Sequence, residues 1–378
     1  MQFVVMVKPI GSVCNMRCKY CYYLEKGQFS THEKQKVMSY GLLEKIIKET
    51  IAASDGPVVS FVWHGGEPTL AGLDFYKRAV EFELKYLPKG WQVWNNLQTN
   101  GLALDEKWCA FLAKAKFDVG LSVDGGKETH DSNRKDAVGK GTYEKIAKNV
   151  GLLRKYGINY DLLCTVNPVT AKDPAIVYNS LKNLGSGWIQ FIPILNPIKA
   201  DGKVTYTEES VTPSEYGSFL NVVFDEWIRN DLGKLDVQLF AETAKQLNGG
   251  ISSLCTLSPT CGAALIAEED GGIYSCDHFV DNEHRLGYLK DSTLKALVES
   301  DKQISFGLSK RDFICEDCKK CPYLNFCNGG CLKDRINGKN TLCEAYKAFY
   351  DHSVPILKHI MELSSKGLSP EKIMEEIR

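Results

Sequence analysis

Twelve of the fourteen cysteines in this 378-residue chain fall into three tight groups, and no other feature constrains its fold and chemistry as much. Three lie between positions 14 and 21, three between 255 and 276, and six between 315 and 343. Clustered cysteines form disulfides in oxidising compartments and bind metal in reducing ones. The N-terminus, MQFVVMVKPIGSV, has no basic start and no small-residue cleavage site, so it reads as a first strand and not as a signal peptide. No apolar run approaches the roughly 18 residues that cross a bilayer. The expected setting is therefore the cytoplasm, and the expected partner of the cysteines is metal. Cys109 and Cys164 stand apart in apolar segments (WCAFLA, DLLCTV) and read as buried, inert thiols.

The first two-thirds of the chain alternate strand and helix. Strands are expected at 3–9, 57–63, 92–98, 117–123, 160–166 and 188–193, short β-branched or aromatic runs of the kind buried on both faces. Helical patterns run over 39–54, 73–86, 105–114, 142–156 and 174–184, with Ser39 and Asp105 as N-caps. A further helix, 213–230, closes this part. Six strand–helix units in series predict an α/β fold with a parallel sheet, either a partial barrel or an open doubly wound sheet.

The residues at the strand ends separate the two. Cys14, Cys18 and Cys21 come after the first strand, His64-Gly65-Gly66-Glu67-Pro68 after the second and Gln98-Thr99-Asn100-Gly101 at the third. Ser122 and Asp124 end the fourth, Asn167 the fifth, and Leu195 and Asn196 the sixth. Every polar or Gly-rich cluster thus lies at a strand's C-terminal end, the rim on which barrels place chemistry. An open sheet concentrates its site at one switch point. The barrel is the reading adopted, spanning 1–235. After it, Cys and Gly rise and periodicity weakens, which predicts a smaller loop-rich domain from 236 onward, ending in a helix near 352–363.

Cys14-x3-Cys18-x2-Cys21 brings three thiolates within eight residues, so a four-iron cluster or a zinc ion held there keeps one position open. Half of a structural zinc site is the competing reading. CNMRCKYC resembles the CxxxCxxC signature of radical S-adenosylmethionine (SAM) enzymes, whose fold is a partial (β/α)6 barrel. The resemblance implies that the open iron of a [4Fe–4S] cluster is chelated by SAM, which yields a 5′-deoxyadenosyl radical on reduction. It implies that Gly65, Gly66 and Glu67 lie along the methionine amino group. Ser122 and Arg134 would hold the SAM carboxylate, and Leu195 would pack on the adenine. Read singly, Gly-Gly is a turn, Arg134 a solvated charge and Leu195 core.

The C-terminal cysteines read Cys261-x9-Gly271-x4-Cys276, then Cys318-x2-Cys321-x5-Cys327-x3-Cys331, then Cys343. This is similar to the seven-cysteine motif of SPASM domains, which carry auxiliary clusters in peptide-modifying radical SAM enzymes. With Cys255 there are eight thiolates, enough for two [4Fe–4S] clusters and so for three in all. The resemblance implies that Cys255, Cys261, Cys276 and Cys331 hold one, and Cys318, Cys321, Cys327 and Cys343 the other. Two zinc sites of four cysteines are the alternative from spacing alone. Cys315 lies outside the pattern as a spare, a structural thiol or a substitute ligand.

Cys276-Asp277-His278-Phe279 and Arg285-Leu286-Gly287 resemble anaerobic sulfatase-maturating enzymes, and the likeness extends over essentially the whole chain. It implies oxidation of a Cys or Ser in a sulfatase polypeptide to Cα-formylglycine, with Asp277 as the base. Tyr23, His64 and Gln98 would then line the peptide site, and a low-potential donor such as ferredoxin or flavodoxin would supply electrons. The nearer alternative is another SPASM peptide maturase, making thioether, carbon–carbon or epimerised products. A zinc module binding nucleic acid is the distant one. The formal charge of −1 carries no footprint for nucleic acid or a membrane surface.

Overall fold

The computed structural model describes residues 3–23, 26, 37–200 and 203–377. Six strands keep the predicted order: β1 Val4–Val7, β2 Val58–Trp63, β3 Gln92–Thr99, β4 Asp118–Ser122, β5 Tyr160–Val166 and β6 Trp188–Pro193. Each pairs in parallel with the next. The strand order never reverses, so there is no switch point and the barrel topology stands. The curl stays open. A hairpin of β7 (Pro197–Ala200) and β8 (Lys203–Tyr206) comes after β6, and the short β9 (Asp236–Val237) pairs with β6.

The helices between strands are α1 Tyr40–Ala53, α2 Leu73–Tyr86, α3 Glu106–Lys114, α4 Lys127–Asn133, α5 Tyr143–Lys155 and α6 Pro174–Asn183. Ser39 and Asp105 cap α1 and α3, their side chains accepting from the Leu42 and Trp108 N–H groups. Each satisfies one of the four donors that a helix start leaves orphaned. The apolar runs of the strands carry the core: Val5, Val7, Phe61, Trp63, Leu97, Val119 and Leu162 are fully buried. Burying each such side chain contributes on the order of 1.5–3 kcal/mol. Cys109 and Cys164 are buried too, as expected.

Beyond α7 (Pro213–Asn230) and α8 (Gln238–Leu247) the chain is more regular than its composition suggests. Ala264–Ala267 forms β10, which pairs in parallel with β1, and β11 (Gly272–Tyr274) and β12 (Arg285–Tyr288) extend the same sheet. The Cys-rich region is thus anchored on the barrel's first strand. Helices α9 (Leu294–Val298), α10 (Asp301–Asp312), α11 (Glu316–Lys319) and α12 (Leu324–Cys327) come next. The last cysteine opens α13 (Cys343–Ser365), a helix twice the predicted length. Pro355 lies inside it, and the apolar face of Phe349, Tyr350, Val354 and Leu357 packs on α7 and carries the helix through. Among the described residues no helix is long and apolar enough to cross a membrane.

Candidate active site

The loop after β1 carries Cys14, Cys18 and Cys21 and is fixed from two sides. On one, Arg17 N–H donates to Lys135 O (2.8 Å) and Ala137 N–H to Asn15 O (3.1 Å). On the other, Gly66 N–H donates to Gly11 O and Glu67 N–H to Val13 O, both at 2.8 Å. Gly66 is required there: a Cβ would lie 2.1 Å from Val13 O. Gly65 has φ +119, a conformation side chains rarely adopt. The Cys14 sulfur receives Met16 N–H at 3.3 Å, and an Arg134 nitrogen stands 3.9 Å from the Cys18 sulfur. Burial pushes the Cys14 thiol up to about 11 and raises Cys18 as well. Three half-buried thiols in mutual electrostatic reach, beside a guanidinium, suit a metal that displaces their protons.

The expected SAM contacts are placed unequally. Glu67 is fully buried, and its carboxylate accepts from the Thr69 hydroxyl (2.5 Å), the Thr99 hydroxyl (2.7 Å) and the N–H groups of Thr69 (3.1 Å) and Asn100 (2.8 Å). That side chain ties the end of β2 to the end of β3. Gly65 and Gly66 pack their main chain against Gly11 and Val13 of the first cysteine loop. Ser122 accepts from Gln98 Nε2 at 3.2 Å. Arg134 pairs with Asp124 at 3.1 Å, yet its Nε lacks an aligned hydrogen-bond acceptor. Asp124 also binds the Tyr20 hydroxyl and Thr165 N–H, so it holds Arg134 rigidly at the end of β4. Leu195 is buried after β6.

Asp277, in the single turn Asp277–Phe279 after β11, faces the same rim. Its Oδ1 lies 2.5 Å from Lys8 Nζ and its other oxygen accepts from the Tyr22 hydroxyl. Burial would raise this carboxyl, but the Lys8 ammonium and the two neighbouring histidines hold it well below the usual carboxylate range. Lys8 also reaches His64 Nδ1 (2.8 Å), which accepts Gly65 N–H as well (2.7 Å). Burial and Lys8 lower His64 to about 3, so it is neutral with its proton on Nε2. The Tyr23 hydroxyl binds Glu268, which burial pushes up to about 8, and Lys8 sits 4.4 Å over the Tyr23 ring. Asp277, His64 and Tyr23 therefore meet around one ammonium, while Gln98 stands apart on β3. Sequence reasoning overlooked Lys8 and gave Tyr22 no role. The signal was a lysine ending the apolar strand VVMVKP, where a charge enters the core only with a partner.

The other cysteines form two sets. Cys255 lies in electrostatic reach of Cys261, Cys276 and Cys331, and Cys276 of Cys331. Cys318, Cys321, Cys327 and Cys343 line one cavity with Tyr323, Asn340 and Tyr346. Among the described residues no three His, Cys, Asp or Glu side chains close on a point as they do round one ion. Four thiols round one cavity are a donor set that a four-iron cluster accepts. Cys315 is outside that lining, with its sulfur 3.5 Å from that of Cys318.

Known proteins resemble this chain. The Radical SAM superfamily matches residues 9–179, and the SPASM iron–sulfur cluster-binding domain matches residues 261–322. The chain is 37% identical to the serine-type anaerobic sulfatase-maturating enzyme of Bacteroides thetaiotaomicron, covering 99% of this chain and 95% of that one. To the cysteine-type enzyme of Clostridium perfringens strain 13 it is 36% identical, over 94% and 97%. The solved structure of native anSMEcpe with bound AdoMet and the Cp18Cys peptide superposes with a TM-score of 0.87 at 34% identity, over 95% and 99%.

Proposed function

The chain belongs to the anaerobic sulfatase-maturating enzymes of the radical SAM superfamily, and on that premise we propose that it oxidises a Cys or Ser side chain of a sulfatase polypeptide to Cα-formylglycine. Its cofactors are SAM and iron–sulfur clusters. The donor sets fit them: three thiols with an open side after β1, and two groups of four in the Cys-rich region. When bound, they supply a deoxyadenosyl radical that removes one β-hydrogen atom and clusters that take up the remaining electron.

The residues of this chain supply binding, orientation and the path of one proton. Gly65 and Gly66 would let the main chain approach the methionine amino group, and Arg134 with Ser122 would hold the carboxylate. Leu195 would pack on the adenine. His64, Tyr23 and Gln98 border the place of the peptide side chain. Asp277 takes the hydroxyl or thiol proton. Loss of one hydrogen atom, one proton and one electron completes the two-electron oxidation. Ser gives the aldehyde directly, and Cys gives a thioaldehyde that water converts. A low-potential donor of the ferredoxin or flavodoxin type is the electron-supplying partner of this reading.

The observation that carries it is the Asp277 carboxylate, one residue beyond the Cys276 thiol and held between Lys8 and Tyr22. An ionised carboxylate can accept a proton, and Asp277→Asn, nearly isosteric, removes that capacity while also leaving the buried Lys8 ammonium without its counter-charge. In this variant SAM cleavage should continue while aldehyde falls by about 10²–10⁴-fold, the usual weight of a positioned base. Aldehyde at the wild-type rate would remove Asp277 from the role.

A further inference from the structure

Two cations lie inside the Cys-rich region with no acid to answer them. Lys310, on α10, is fully buried. Its Nζ donates to the carbonyl oxygens of Cys255 (2.6 Å), Thr256 (3.0 Å) and Ser258. Three carbonyl acceptors match the three N–H bonds of an ammonium, one more than a neutral amine has, and favour the charged form against the burial that lowers its pKa. Arg335, half-buried, donates to Gly329 O (2.8 Å), Lys310 O (2.7 Å), Phe313 O (3.0 Å) and Asn328 O (2.9 Å). Among the described residues neither pairs with a carboxylate.

A buried cation without a counter-charge is costly, and main-chain dipoles answer it only in part. The groups in reach that become anionic once a cluster is bound are the cysteine thiols. The bond from Lys310 to the Cys255 carbonyl oxygen puts its ammonium beside one set, in electrostatic reach of Cys261, Cys255 and Cys331. Arg335 lies in electrostatic reach of Cys261 and Cys331 of that set and of Cys318 and Cys327 of the other. Its bonds to Asn328 and Gly329 also grip the loop between Cys327 and Cys331, where the two sets join.

We propose that Lys310 and Arg335 are built-in counter-charges of the auxiliary clusters, Lys310 for the one on Cys255, Cys261, Cys276 and Cys331, and Arg335 for both. The proposal rests on those two ligand sets. A cluster that gains one electron gains one negative charge, and a fixed buried cation stabilises that reduced form. The pair therefore raises the auxiliary reduction potentials and suits these clusters to receive the electron that leaves the substrate.

A redox titration monitored by electron paramagnetic resonance, with iron counted in each sample, tests this on anaerobically reconstituted full-length enzyme. Lys310→Met should lower the midpoint of the first auxiliary cluster more than that of the second. Arg335→Gln should lower both, and the SAM-binding cluster should keep its wild-type midpoint as internal reference. Full iron with unshifted auxiliary midpoints overturns the proposal, as does an equal shift of all three clusters. If the variants lose auxiliary iron, Arg335→Lys, which keeps the charge, must restore it, and failure to do so overturns the proposal. Wild-type protein holding iron for only one cluster overturns the ligand sets, and the inference with them.

Discussion

Lys8 Nζ stands 2.5 Å from Asp277 Oδ1, joining the end of β1 to a turn 269 residues further along the chain. This ion pair fuses the barrel to the Cys-rich region at the point where chemistry is proposed, and the pairing of β1 with β10 holds the two backbones in place beneath it. Lys8 is fully buried and the Asp277 side chain is 17% exposed.

Lys8→Met should therefore act on both stability and turnover. Removing one partner of a buried pair costs about 3–5 kcal/mol, because the other charge is left uncompensated. Denaturant unfolding should show that loss. The variant should also form less aldehyde per deoxyadenosine released, since Asp277 loses the contact that holds it. An unchanged product ratio would show that Lys8 serves the fold alone.

Gly66→Ala tests the close approach beneath the first cysteine loop. The added carbon would stand 2.1 Å from Val13 O, a main-chain atom that cannot swing aside. A loss of about 1–3 kcal/mol is expected from such overpacking, together with weaker SAM binding. Unfolding midpoints and equilibrium SAM binding measure the two effects. Normal SAM affinity in the variant would remove this strip from the cofactor site.

Glu83 predicts a pH dependence unconnected with the clusters. On α2, it receives Asn95 Nδ2 at 3.0 Å, but its other oxygen has no hydrogen-bond partner among the described residues. Burial raises its carboxyl from 4.5 to about 8. Between these values the folded state holds the proton that the unfolded chain gives up. The contribution of Glu83 to stability is thus complete below about 4.5 and lost as pH rises through about 8. Glu83→Gln, neutral throughout, should gain on the wild type as pH rises across this window. Parallel curves of unfolding free energy against pH would contradict the assignment.

Much of this was legible in the chain. Strands buried on both faces are unbroken apolar runs, so all six barrel strands could be read, as could the caps at Ser39 and Asp105. The order of motifs along the strand ends disclosed the rim. Contacts over long separations were not legible: nothing near Lys8 points to Asp277, and nothing near Tyr23 points to Glu268. β10 was hidden because AALIAEEDGG is short and runs into a turn, and it becomes a strand by pairing with β1. The start of α13 at Cys343 was hidden because its first turns face a cavity lined by cysteines and not an apolar core.

The central claim is best tested by anaerobic mass spectrometry of a short sulfatase-derived peptide, with its Cys or Ser in place, after incubation with reconstituted enzyme, SAM and a reductant. The account predicts that this one residue takes the mass of formylglycine, is trapped by a hydrazine as an aldehyde, and appears in step with deoxyadenosine. Deoxyadenosine accompanied by an unmodified peptide, or by a thioether, a cross-link or an epimer instead of an aldehyde, would contradict it.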